Sequence, residues 1–244
     1  MGAEKSGKIK IGNCGWSYYN PPPGWEEKFR TKLQAYSKVF DLVEINSTFY
    51  NIPKVSTATR WREEADETNP KFEFTIKVSQ IITHRDKFST NTSLWAFDKM
   101  KEIAKALRAK ILLFQSPDSF RPSADNLEKA GRFFSRIKKQ GYILVWEVRW
   151  NDTWTREIVE KVFSGIGLNQ CVDPLRQECY HAKDLAYYRL HGFGSPMYNY
   201  DFSEEELNKM AEKAKQSKKP VYFLFNNSNC YGNALKLKEL LQRL

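Results

Sequence analysis

Three strand-like runs each place two polar or charged side chains two residues apart near their C-terminal ends. They are Glu44 and Asn46 in LVEIN (42–46), Glu147 and Arg149 in WEVRW (146–150), and Arg189 and His191 in YYRLHG (187–192). Side chains alternate across a strand, so a spacing of two puts both members on one face. Val43 and Ile45 then share the other face of the first run. Burying an unpaired carboxylate costs several kcal/mol, roughly. Glu44 in so apolar a run therefore predicts a partner from elsewhere in the chain. Lys77, Gln115, Asp173 and Asn226-Asn227 end four further runs in the same way.

These residue types divide into two roles. Lys77, Arg149 and Arg189 suit an anionic ligand, since arginine grips phosphate or carboxylate through two parallel bonds. Asn46, Asn226 and Asn227 add hydrogen-bonding amides beside them. Glu44, Glu147 and His191 suit general acid–base work. Glu44, Glu147, Asp173 and His191 could together hold Mg²⁺ or Mn²⁺, and Zn²⁺ less readily. Arg149 and Arg189 share faces with Glu147 and His191, however, and would neutralise the carboxylates without a metal. No other cofactor is implied. A plainer reading of the whole set is a charge network that ties strands together.

Loops add candidates. HGFGSPMYNY and NNSNCYGNA contain Gly192, Gly194 and Gly232, which would let backbone N–H groups approach an oxyanion; ordinary turn glycine is the alternative. His84, after QIITH, could reach the same place, or lie on the surface. His181 receives no role. The loop GWSYYNPPPGW (15–25) gathers Trp16, Tyr18, Tyr19 and Trp25, as a pocket wall, a stacking platform or local core.

Eight strand-like runs must position these residues: 8–14, 42–46, 72–78, 111–115, 142–148, 168–173, 186–192 and 221–226. Runs with apolar spacing of three and four alternate with them, over 29–40, 57–65, 93–109, 124–137, 155–163, 203–215 and 232–244. Ser203 with Glu206 reads as a capping box and Ser123 as an N-cap. The sixth connection, PLRQECYHAKD (174–184), is short and contains Pro174, so its helix is brief or missing. Repeated βα units imply a parallel sheet. Eight of them in this length imply one closed (β/α)8 barrel domain over 1–244, with chemistry at the mouth where the strands end. A doubly wound sheet is the alternative, but GNCGWS lacks the GxGxxG pattern.

Composition bounds the partners. The 244 residues are 41% hydrophobic and 14% aromatic, enough for a substantial core, with no run of the ~20 apolar residues that a membrane span needs. No signal peptide is visible, although MGAEKS, with Gly2 and Ser6, fits the loose myristoylation pattern. Cys14, Cys171, Cys179 and Cys230 form no CxxC pair. They read as buried thiols of a cytoplasmic protein, or as a soft-metal site assembled only in space. The net charge of +10 points to an anionic small molecule or nucleic acid. Lysines at helix C-termini, such as Lys138-Lys139 and Lys218-Lys219, account for part of that charge without a ligand.

With these motifs in place, the chain resembles the DUF72, or YecE-like, family. The matching stretches are CGWSYYNPPPGW (14–25), VEINSTFYNIP (43–53) with Trp61, and FEFTIKVSQIITH (72–84). ILLFQSP (111–117), WEVRW (146–150), YYRLHG (187–192) and YFLFNN (222–227) complete the set. The resemblance runs nearly end to end and implies a TIM-like barrel of unestablished biochemical role. Two positions depart from it. The family usually has histidine after the arginine of its fifth-strand motif, where this chain has Trp150. Many members carry an extra small residue before Gly-Trp, where this chain reads Asn13-Cys14-Gly15-Trp16. The function expected is an enzyme acting on an anionic, phosphorylated substrate, with phosphoester hydrolysis as its reaction. The alternative is a non-catalytic binder of nucleic acid or an anionic metabolite.

Overall fold

A computed structural model describes residues 7–139, 141–149, 152–196 and 198–243. Gly2 and Ser6 of the myristoylation pattern and Trp150 of the fifth-strand motif lie outside these residues. The strands are β1 Ile9–Asn13, β2 Leu42–Ile45, β3 Glu73–Lys77, β4 Ile111–Gln115, β5 Ile143–Glu147, β6 Asn169–Val172, β7 Ala186–Leu190 and β8 Val221–Phe225. All neighbours pair in parallel and in chain order. β8 returns to β1 over five residue pairs, from Ile9 opposite Val221 to Asn13 opposite Phe225, which closes the barrel.

The two-residue alternation builds the layers. Leu42, Leu113, Val145, Cys171, Tyr187 and Leu224 fill the barrel interior. Val43, Ile45, Ile76, Phe114, Trp146 and Phe225 face outward into the helix layer. There Phe88 packs against Phe120, Phe133, Phe134 and Trp146, at centroid distances of 5.3, 5.4, 5.5 and 5.5 Å. Each fully buried ring of this kind contributes about 1.5–3 kcal/mol.

Seven helices alternate with the strands: α1 Lys32–Val39, α2 Val55–Asp66, α3 Asn91–Leu107, α4 Ala124–Arg136, α5 Arg156–Ile166, α6 Glu204–Lys215 and α7 Cys230–Arg243. Their ends follow local capping chemistry more than hydrophobic period. α1 starts later than its apolar spacing suggests, because Thr31 and Gln34 form a reciprocal capping box. α3 stops at Leu107 because Arg108 adopts a left-handed φ of 54°. Ser123 caps α4, and Ser203 with Glu206 boxes α6, as expected. The β6–β7 connection contains no helix, again as expected. Two short turns shape the mouth instead: a 3-10 turn over Ser47–Phe49 and a π turn over Ile81–Arg85. Among the described residues, no helix is long and apolar enough to cross a membrane.

Candidate functional site

An ionic layer crosses the barrel interior just below its C-terminal mouth. Glu44 and Arg189 each lie one residue before the end of β2 and β7, Glu147 ends β5, and all three are almost fully buried. Arg189 Nε donates to Glu44 Oε1 at 3.1 Å, and Arg189 Nη1 donates to Glu147 Oε2 at 2.6 Å. Tyr187 Oη donates to the second oxygen of Glu44 at 2.9 Å and accepts from Thr75 Oγ1 at 2.8 Å. Gln115 Nε2 donates to Glu147 Oε1 at 3.3 Å, and Arg149 Nη1 lies 3.5 Å from that same oxygen. This is the partner that Glu44 required, supplied 145 residues away in sequence. Burial alone would raise the Glu147 carboxyl, but the charges of Arg189, Arg149, His191 and Lys77 outweigh it and hold it near 2. Arg189 is pushed the other way from its burial, further up, by Glu44.

Lys77 stands outside this pairing. It ends β3 and is 6% exposed. Its ammonium rests over the Phe49 ring at 3.9 Å, a cation–π contact. The ammonium's only described contact is this ring; both nearby carboxylates are hydrogen-bonded to arginine. Burial lowers its pKa most, the Arg189 charge adds to that, and the result is about 8 against an ordinary 10.5. Among the described residues, Arg149 and Arg189 thus stand within salt-bridge distance of these two carboxylates and Lys77 does not.

A cavity of about 440 Å³ opens directly above. Lys77, Arg189 and Gln115 form its charged and polar floor. Asn46 and Tyr50 wall it from the β2 side; Tyr198 and Asn199 from loop seven and Asn226, Asn227 and Ser228 from loop eight close the other. Asn46 Oδ1 and Asn227 Oδ1 are buried without a hydrogen-bond partner among the described residues. The Asn227 amide nitrogen is already committed to Tyr200 O and Asn233 Oδ1, both at 2.7 Å, so its oxygen orientation is fixed. Tyr198 sits at φ 79°, a costly conformation for a bulky residue. Ser228 N–H bonding its carbonyl at 2.7 Å holds it there. A second cavity, about 480 Å³, lies at the opposite barrel end beside Glu73 and Tyr222. Glu73 there is satisfied by Lys8 at 3.0 Å, Lys10 at 3.1 Å and Tyr222 Oη at 2.9 Å.

Of the residues singled out in the sequence, Asn46, Lys77, Arg189, Asn226 and Asn227 line the mouth cavity. Glu44, Glu147 and Arg149 lie in or beside the ionic layer beneath it. Gly192 does not offer its N–H to a ligand: Asp173 Oδ2 accepts from both His191 N, at 2.8 Å, and Gly192 N, at 3.1 Å. The glycine is required for another reason, since it has φ 72° and any Cβ would strike the Tyr200 ring. His191 Nδ1 lies 3.6 Å from the same Asp173 oxygen, and its ring faces Tyr198 at 5.5 Å. Trp16 packs edge-on against Trp61 at 5.3 Å and Phe74 at 6.5 Å, local core rather than a stacking platform. His84 packs edge-on against Phe49 at 4.8 Å; burial and the Lys77 and Arg149 charges lower its pKa to about 4.

The proposed metal set does not assemble. Among the described residues, no three His, Cys, Asp or Glu side chains are grouped to hold an ion. Arginine occupies Glu44 and Glu147, and backbone amides occupy Asp173, including Leu175 N at 3.1 Å. The four cysteines are free thiols and form no such group either. Burial raises the Cys14 and Cys171 thiols well above their ordinary value. Tyr50, Gln115 and Tyr198 are cavity residues that the sequence reading did not assign. Gln115 ends its strand as the other candidates do, and Tyr50 falls within the VEINSTFYNIP motif, so both carried a signal.

Fold and site together define a parallel (β/α)8 barrel with an ionic layer under a polar, cationic mouth. Residues 10–244 match the family described as "Protein of unknown function DUF72", and the chain belongs to that family. It is similar to the UPF0759 protein YecE of Escherichia coli (strain K12), at 36% identity over 77 residues. That match covers 32% of this chain and spans about a quarter (26%) of YecE. A solved DUF72 family protein from Enterococcus faecalis V583 superimposes with a TM-score of 0.75 at 20% identity, covering 96% of this chain and 95% of that one. Another, from Thermotoga maritima MSB8, gives 0.73 at 25% identity, covering 96% and 99%.

Proposed function

We propose that the barrel mouth binds an anionic, phosphate-bearing small molecule and that the protein is an enzyme acting on it. The supporting observation is Lys77: a desolvated ammonium on the cavity floor with no carboxylate of its own. A bound oxyanion would supply the missing counter-charge and offset the burial cost. Arg189 contributes positive potential from beneath, but its N–H groups are committed to Glu44, Glu147 and Cys14, so it is a floor rather than a grip. Two amides stand across the cavity, Asn46 after β2 and Asn227 in loop eight, and their unspent acceptors Asn46 Oδ1 and Asn227 Oδ1 suit hydroxyl groups on the same ligand.

In this reading the titratable group of the reaction is Lys77. Glu44 and Glu147 are positioning residues that fix Arg189. Phosphoester hydrolysis would need a group to activate water, and both carboxylates are engaged elsewhere. Calorimetric titration with inorganic phosphate tests the binding claim. Lys77→Met should weaken the affinity at least ten-fold. At pH 8 the wild type should take up protons on binding, seen as a dependence of the heat on buffer ionisation. Equal affinity in the variant would remove Lys77 from the site.

A second reading has support of its own. Tyr50 and Tyr198 stand at the rim 65% and 41% exposed, and the net charge is +10. Exposed aromatics beside a cationic groove suit single-stranded nucleic acid. Binding of a single-stranded oligonucleotide should then weaken linearly with log salt. A salt-independent or absent affinity excludes it.

A further inference from the structure

We infer that Lys77 is a covalent nucleophile, forming an imine with the carbonyl carbon of a phosphorylated, hydroxylated aldehyde or ketone held in the mouth cavity. The inference rests on the anion-binding reading above and names its substrate class. The placement, contacts and charge surroundings of Lys77 lead to it. Lys77 sits at the C-terminal end of a barrel strand, on the floor of a cavity of about 440 Å³. Its amine lies against the face of Phe49, and no described carboxylate stands within salt-bridge distance of it. An amine ion-paired to an oxyanion is held as ammonium, so in the attacking complex the amine meets the carbonyl while the ligand's phosphate answers the positive potential of Arg189 on the same floor. The nearby charges are Arg189 from β7, Glu147 from β5 and Glu44 from β2, with the Cys14 thiol. Among these, Arg189 opposes protonation of the amine, while Glu147, Glu44 and the Cys14 thiol favour it. Burial, with the Arg189 charge second, outweighs them and keeps part of Lys77 neutral near pH 8.

The substrate class follows from the surroundings of the amine. A phosphate answers the cationic floor. Asn46 Oδ1 and Asn227 Oδ1 are acceptors lacking donors, which hydroxyls would supply. Tyr50 and Tyr198 form the rim that would cover the ligand's carbon skeleton.

The step balances without a co-reactant. The neutral Lys77 amine attacks the carbonyl carbon, an N–C bond forms, and the C=O π pair moves to oxygen. The resulting carbinolamine loses its oxygen as water, which carries away both amine hydrogens, and the C=N bond forms. Protonation of the imine nitrogen then draws electrons from the adjacent carbon, weakening its C–H or C–C bond. Hydrolysis reverses the sequence and releases the carbonyl product.

The full chain can be tested with pyridoxal 5′-phosphate, which carries an aldehyde, a hydroxyl and a phosphate. It is mixed with the protein near pH 8, reduced with borohydride and mapped by peptide mass spectrometry. Lys77 should be labelled at least ten-fold faster than the surface lysines, and excess inorganic phosphate should protect it. Lys77→Arg keeps the charge and removes the nucleophile, so it should retain phosphate affinity while losing the fast label. Labelling of Lys77 no faster than that of surface lysines, in protein that binds phosphate, overturns the imine and leaves the anion-binding reading intact. Equally fast labelling by pyridoxal, which lacks the phosphate, with no protection by inorganic phosphate, overturns the assigned substrate class and the anion-binding reading together.

Discussion

Arg189→Met removes the cation that Glu44 and Glu147 share. The two carboxylates are 0% and 1% exposed, so both lose a charged partner while buried. Glu44 keeps Tyr187, and Glu147 keeps Gln115 and the more distant Arg149. Removing one partner of a buried ion pair costs about 3–5 kcal/mol, and here one residue serves two partners. We expect the upper part of that range at pH 7. The pH dependence carries the sharper test. In the wild type Glu147 is held near 2, below its ordinary 4.5. A carboxyl depressed on folding contributes stability that is present above about 4.5 and lost as pH falls towards 2. That interval amounts to roughly 3 kcal/mol. Without Arg189, the largest charge opposing burial is gone and the folded-state pKa of Glu147 rises towards its ordinary value or beyond. Lowering the pH then costs the variant less stability than the wild type. The gap between wild type and variant should therefore narrow between pH 7 and pH 4. Urea unfolding at pH 7, 5.5 and 4 measures it directly. A gap under about 1 kcal/mol at pH 7 would refute an ionic layer that holds these strands together. A gap that stays constant with pH would refute the coupling between Arg189 and Glu147. Adding Glu147→Gln to Arg189→Met should recover part of the loss, because the orphaned charge goes with it.

Lys77→Met should stabilise the protein by about 1–3 kcal/mol at pH 7 while weakening phosphate binding at least ten-fold, since it removes a desolvated cation whose only partner among the described residues is a ring. The folded pKa of about 8 lies below 10.5, so the charged form is costly below pH 8 and the cost fades as pH rises to 10.5. Urea midpoints for the two proteins should converge between pH 8 and 10, and a destabilised variant at pH 7 would contradict the assignment. His84 should stay neutral until the pH nears 4, because burial and the Lys77 and Arg149 charges oppose its protonation. Its imidazole proton resonance in NMR should not move above pH 5.5, and a midpoint near 6.5 would place the ring in solvent. Tyr187→Phe should cost about 1–3 kcal/mol, since it leaves Glu44 and Thr75 each short of a buried hydrogen bond. Thermal unfolding reads this loss, and an unchanged midpoint would mean that Arg189 alone satisfies Glu44.

The barrel was legible because its signal is local. A period of two in LVEIN or ILLFQ, and of three and four between such runs, is written in consecutive residues, and eight repeats leave few topologies. The convergence of Glu44, Glu147, Arg189 and Lys77 followed from that topology, since each sits at the same end of its strand. What each residue does there did not follow, because pairing is decided by side-chain reach across the barrel. Glu44 finds its partner in Arg189 on β7, five strands along, and no neighbour in the chain hints at it. Gly192 shows the same limit. Its N–H was available by sequence, but Asp173 from β6 claims it together with His191. Tyr198 enters the mouth only because loop eight holds its backbone at a positive φ. Pairing also bears on the first chemical assignment, because the carboxylates that suit acids and bases by type are hydrogen-bonded to Arg189. Once they are spent, one cation remains unmatched beside an open cavity. The group most exposed to new chemistry is therefore the one whose neighbours have already neutralised each other, and at this mouth that group is Lys77.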